Sequence, residues 1–295
     1  MWAILLEKED LKMNLKTLME NWRKFNKTSK TLNEEATPDK FPQDKFPTRL
    51  SQVDPATAVA QTTSGKKDGD AQDDVIDVKK ASFASGQLKP SQTSMKLSNA
   101  LGMALSMIHP DKDLKAGGDL GGFISSDLHI MDGHHRWVAT AMIDPALECG
   151  GNYVSFPAAQ LIPILNAITV GRLKVPPTGG KEGSGGFDQF KNPALMKQIL
   201  VELTTKGNPP HITAEEASTA VAIFCKNNSV EPSVDNAVEK FMDNLSGLKF
   251  KTPKGAPDRI DMPVIDTGDV AAVTGVLKGG EVDVNDPFAQ ADDEE

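Results

Sequence analysis

Residues 121–143 change period halfway along. GGFISSDLHIMDG (121–133) has the pattern of a β-hairpin: Phe123–Ile124 going out, a Ser-Ser-Asp turn, then Leu128–Met131 returning. HHRWVATAMID (134–144) then reads as a helix that stops before Pro145. A strand running straight into a helix needs a layered fold that mixes the two. The flanks agree. VIDVKKAS (75–82) has the composition of a strand, and LKPSQ (88–92) turns about Pro90. Residues 94–108 carry Met95, Leu97, Leu101, Ala104, Leu105 and Ile108 at helical spacing. KAGGDLGGF turns into a strand, and YVSFPAAQLIPILNAI (153–168) is a short strand followed by a helix. The expected fold class is α+β (mixed α/β), centred on a domain over residues 74–175.

The remaining segments have other characters. Residues 1–28 read as one amphipathic helix, with Leu11, Leu15, Leu18, Trp22 and Phe25 on a single stripe. An isolated helix cannot bury such a stripe alone, so a protein partner, a second copy or the body should cover it. Residues 29–73 lack periodicity, contain DKFP twice, and read as a largely disordered linker. Residues 176–191 form a Gly-rich connector. It is no Walker loop, because Gly180-Lys181 is followed by Glu182. Residues 192–280 read as mainly helical. Asn192 caps a helix with Pro193 at its first position and Gly207 at its end. Thr213–Glu216 is a capping box opening a second helix through Ile223, and Ser233 caps a third. A strand is expected at Pro263–Asp266, followed by a short helix ending at Gly279-Gly280. The tail, residues 281–295, is expected to be disordered.

Composition limits the function classes. Net charge is −9, but the last fifteen residues hold seven acids and no base, which leaves 34 acids against 32 bases. A nearly neutral body argues against extensive duplex DNA binding and leaves room for a local anion site. Two cysteines make no disulfide framework and no Cys-x-x-Cys zinc pattern, so a reducing, cytoplasmic setting is expected. No apolar run approaches ~18 residues, so no membrane partner is expected. The WAILL opening, followed by EKED, is too short for a signal peptide, and Met13 is an alternative start.

Three of the five histidines, His129, His134 and His135, fall within seven residues, in the string SDLHIMDGHHRWVAT. Asp132 is expected to cap the helix. Gly133 permits close backbone approach or a left-handed torsion. The first-turn amides, the positive end of the helix dipole, an imidazole and the Arg136 guanidinium should then converge on one small volume. Phosphate is the anion that best fits such a site. Two other readings compete. The residues could simply start a helix. A metal could be held by Asp127, His129, His134 and His135, although neighbouring helical side chains diverge by ~100°. Trp137, Thr140 and Met142 read as core or packing residues.

LKPSQ before a helix, then a hairpin, then DGHHR at a helix start resembles the ParB/sulfiredoxin-like superfamily. The likeness spans roughly residues 74–170, and DGHHR is most similar to the ParB-like nuclease and free-serine-kinase branches. The resemblance implies a ParB/sulfiredoxin-like core and a nucleotide ligand (ATP, ADP or CTP), with Mg²⁺ as companion. It implies catalytic roles for His134, His135 and Arg136. It places Asp132, Gly133, His134, His135, Arg136 and Gln92 in the ligand-binding set, with Asp132 organising the loop. The departures matter. The motif has no cysteine, so sulfinic-acid reduction is not expected. Gln92 stands where a kinase of this type needs a carboxylate, and glutamine is no base. Asp77, Asp111 or Asp127 would substitute only if the fold brought one near. Residues 214–246 contain no arginine, against base-edge readout by a helix-turn-helix. The implied function is a phosphohydrolase or phosphotransferase, nuclease-like, acting on a nucleotide, a phosphorylated small molecule or a nucleic-acid end. The alternatives are a non-catalytic nucleotide-binding module, or a virion or assembly protein with a vestigial site. MNLKTLMENWRKF also resembles the start of many small proteins of tailed bacteriophages, which would place the chain in the host cytoplasm or the virion.

Overall fold

The structure, a computed structural model, describes residues 45–65, 67, 74–178, 185–208 and 212–284. The amphipathic helix read over 1–28 and the last eleven residues of the tail lie outside these. The described part is α+β. Five strands, β1 (Val78–Ala84), β2 (Lys89–Pro90), β3 (Gly118–Ile124), β4 (His129–Ile130) and β5 (Glu148–Val154), form one mixed sheet in the order β1-β5-β3-β4-β2. β1–β5 and β3–β4 are antiparallel, while β3–β5 and β2–β4 are parallel.

Period-two alternation assigns the strand residues to two cores. Ile124, Ile130, Cys149 and Tyr153 join one apolar cluster, and their neighbours Phe123, Met131 and Val154 join another. The first face is covered by α2 (Leu97–Ile108), α3 (His134–Ile143), α5 (Pro193–Lys206), α6 (Ala214–Asn227) and α7 (Val234–Leu245). The second is covered by α4 (Ala158–Gly171) and α8 (Val270–Lys278). Glycine is required mid-sheet. A Cβ on Gly151 would sit 2.9 Å from the Gly122 carbonyl oxygen, where the β3–β5 register shifts between Asp119 and Phe123.

Several expectations are corrected. Residues 45–65, expected in a disordered linker, are folded: Asp54 caps α1 (Pro55–Gln61) by accepting from Thr57 N, and Phe46, Leu50 and Ala58 are fully buried. Periodicity was absent because this segment contributes single anchors, not a continuous stripe. The helices of 192–245 are no separate region, since Met196, Leu200, Phe224 and Phe241 share a core with Leu101, Leu105 and Trp137. Residues 187–191 of the Gly-rich connector form a 3₁₀ turn with Phe190 buried. α6 runs four residues past Ile223. Residues 263–266 form no strand. Val282 and Val284, placed in the disordered tail, are buried against the second face. The three expected helix starts at Asn192, Thr213 and Ser233 each cap with their side chain.

Candidate functional site

α3 begins one residue later than a side-chain cap at Asp132 would allow. Its N-cap is Gly133, at φ 77° and ψ 20°, and the Asp132 carboxylate accepts instead from Gly133 N at 2.7 Å. A Cβ at Gly133 would meet Leu120 Cβ at 3.2 Å. Positive φ and this close approach together call for glycine.

The groups expected to converge diverge instead, as adjacent helical positions must. His134 is buried, and its Nε2 accepts from Ser91 N at 3.2 Å. Ser91 Oγ donates to Ile130 O at 2.6 Å, locking the LKPSQ turn to β4 and the start of α3. Burial, then the nearby His135, Arg259 and His129, push the His134 ring down to about 3. This neutral imidazole is taken up by the Ser91 turn, whereas the sequence expectation has it facing a ligand. Arg136 turns the other way. Its Nη1 donates to Asp119 O at 2.8 Å and its Nη2 to Gly117 O at 3.2 Å, so it clamps the entry to β3. Those carbonyls occupy the fork meant for phosphate. Gln92 is buried and donates to Ser94 O at 2.6 Å, holding its own turn. Among the described residues, His134, Arg136 and Gln92 do not line the cleft that His135 faces.

His135 does open onto a cleft. The cleft holds about 470 Å³ between α2, the start of α3 and the 112–114 loop, with Asn99, Ser106, Lys112, Asp113, Asn208 and Arg259 on its walls. Arg259 is the residue the sequence reading missed. It lies 124 positions downstream, in PDRID, and belongs to no local motif; the one hint was that no other arginine follows Arg172. A strap over residues 249–261 delivers it. Phe250 anchors the strap, stacked on Phe187 and Phe190 and edge-on to Trp137. His129 Nε2 lies 3.0 Å from Lys251 O, Thr93 N donates to Pro257 O at 3.0 Å, and Ser94 Oγ donates to Asp258 Oδ2 at 2.8 Å. Arg259 Nη1 ends 3.4 Å from His135 Nδ1. Burial, then Arg259 and Lys96, push the His135 ring down to about 4, so it is neutral at pH 7.

The candidate bases are elsewhere. Asp127 accepts from Ser125 Oγ at 2.6 Å and Ala158 N at 2.9 Å, and faces His129 Nδ1 at 3.1 Å. Burial opposes its charge, but these partners outweigh it and hold the carboxyl well below the usual range. Asp77 and Asp111 are exposed and do not line the cleft. Asp113 is the carboxylate on its wall. Among the described residues, no group of three or more His, Cys, Asp or Glu is placed to hold a metal ion, so the set Asp127, His129, His134 and His135 is not gathered as ligands. Among the same residues no helix is long and apolar enough to cross a membrane. No family model, curated protein or solved structure matches the chain.

Proposed function

We propose that this protein binds a nucleotide, or a similar phosphorylated small molecule, in the cleft beside His135, with His135 and Arg259 receiving the phosphate oxygens. The observation that carries this reading is the pairing of the imidazole and the guanidinium at the first turn of α3, with Lys112 on the same cleft. Lys112 is shared with Glu216 at 2.8 Å and supplies a nearby positive charge rather than a free ligand. The helix dipole adds to the attraction for an anion. The volume suits a mononucleotide, within the ~300–1,000 Å³ usual for small-ligand sites. The likeness of DGHHR to ParB-like sequences agrees with a nucleotide ligand, but here the second histidine of the motif and a distant arginine do the binding. Mg²⁺ would arrive on the ligand's own phosphates, with Asp113 the carboxylate among the described lining residues able to reach it.

The reading is of binding and not of turnover. His134 and Arg136 are committed to the scaffold, and among the described residues no carboxylate is hydrogen-bonded to His135 to make it a strong base. The test is thermal unfolding with ATP, ADP, CTP and inorganic phosphate, with phosphate release measured on the same samples. A bound nucleotide raises the midpoint by mass action, and Arg259→Ala removes the rise. Absence of any rise with all four would overturn the proposal. Phosphate release that disappears in His135→Ala would move the protein into the phosphohydrolase class.

A further inference from the structure

The contact between His135 and Arg259 is chemically odd. A guanidinium only donates hydrogen bonds. On the other side of the ring, the backbone N–H of Lys96 points at His135 Nε2 from 3.3 Å. A neutral imidazole has one lone pair and one N–H. It cannot accept from Lys96 N and from Arg259 Nη1 together. The backbone amide is fixed by α2, while Arg259 sits on a strap and carries further N–H groups to place. The lone pair therefore belongs to Nε2, and the ring proton to Nδ1. Nδ1–H then faces an Arg259 N–H, two donors 3.4 Å apart.

Resting on the nucleotide reading of this cleft, we infer that His135 acts as a neutral Nδ1–H donor, its tautomer set by the Lys96 amide, and that this seat selects a proton-free oxyanion bridging His135 and Arg259. A ligand oxygen between the two groups accepts from both and relieves the donor-against-donor contact. A ligand O–H placed there would meet only donors. The charged and titratable groups around the ring fit a neutral imidazole. Lys96 stands at the N-cap of α2, Arg259 on the strap and Lys112 on the neighbouring loop, all positive. His134 precedes it on α3 and is neutral. Among the described residues Asp113 is the single acid lining the cleft, and it is exposed. The depressed titration of His135 agrees with the geometry.

Sulfate and inorganic phosphate separate the possibilities. Sulfate carries no proton between about pH 6 and pH 8, whereas phosphate loses one near the middle of that range. With a neutral donor, sulfate affinity stays flat over the window and binding takes up no proton from the buffer. Phosphate affinity rises as its dianion forms. His135→Asn, which offers an amide N–H close to the Nδ1 position, keeps sulfate affinity within a few-fold, while His135→Ala loses about fivefold to tenfold, the worth of one hydrogen bond. Imidazole nitrogen NMR on the ligand-free protein reads the tautomer without any ligand and should show hydrogen on Nδ1. The inference falls if hydrogen resides on Nε2, or if sulfate affinity drops about tenfold per pH unit on raising the pH, the mark of a required imidazolium. If the anions bind with proton uptake, the cleft reading survives without this inference. If neither anion nor any nucleotide binds, both fall.

Discussion

At the residue scale, two arginines stand opposite to what their positions in the chain suggest: Arg136 is tied to backbone carbonyls, and Arg259 lines the cleft. Arg136 lies within the DGHHR string, yet its guanidinium is spent on Gly117 O and Asp119 O. Arg136→Ala removes the bonds to an exposed and a part-buried carbonyl and should cost about 0.5–1.5 kcal/mol of stability in urea unfolding, with little effect on nucleotide affinity. Arg259→Ala should do the reverse: an unchanged unfolding midpoint and binding weaker by about 1.5–3 kcal/mol, the value of a charge-assisted bond. Spacing could not distinguish the two, because side-chain direction on α3 sends residues 134, 135 and 136 to three different places. What the sequence did carry was the helix start to within one residue and the fitness of glycine at Gly133. Replacing Gly133 by alanine puts a Cβ against Leu120 at φ 77° and should destabilise by about 1–3 kcal/mol. His134 gives a pH effect of definite sign. Its folded value, about 3, lies below the unfolded ~6.5, so its contribution is complete above about 6.5 and declines as pH falls toward 3. Unfolding midpoints at pH 7 and pH 5 should differ more in the parent protein than in His134→Gln. Equal differences would remove His134 from the acid response.

At the element scale, the strap over 249–261 is the part with least trace in sequence. It has no period, holds Pro253 and Pro257, and reads as a loop. Its order comes from one aromatic anchor and from backbone groups that pair with residues over a hundred positions away, and no local pattern encodes such pairing. Phe250→Ala should therefore act on both stability and ligand binding. Loss of the stack on Phe187 and Phe190 costs about 2–4 kcal/mol, and Arg259 loses its fixed position. Hydrogen exchange should speed up across 249–261 while α3 and β5 stay protected. Unchanged exchange in the strap would show that Phe250 is not its anchor. The helices present the opposite case. α5, α6 and α7 were legible to within a few residues because Asn192, Thr213 and Ser233 cap them by side-chain chemistry that operates within four residues.

At the scale of the molecule, the α+β class was readable from the change of period at residue 133, but the division into regions was not. Apolar stripes say that a helix is covered and leave open by what. Here the stripes of α5, α6 and α7 meet Leu101, Leu105 and Trp137 beneath the sheet. Residues 74–284 should accordingly unfold in one cooperative transition, and a chain ending at residue 191 should not fold, because it would expose that whole face. Two separated calorimetric transitions would contradict this. The cleft beside His135 depends on the same assembly, since α2, α3, Asn208 and the strap each supply part of its wall. Chemical-shift mapping during an ATP titration tests the central claim most directly. The account predicts that the largest changes cluster at Lys96, Asn99, His135 and Arg259, with Arg136 and Gly117–Asp119 unmoved. Changes centred on Arg136 and Gly117–Asp119, or no changes anywhere at millimolar ATP, would contradict it.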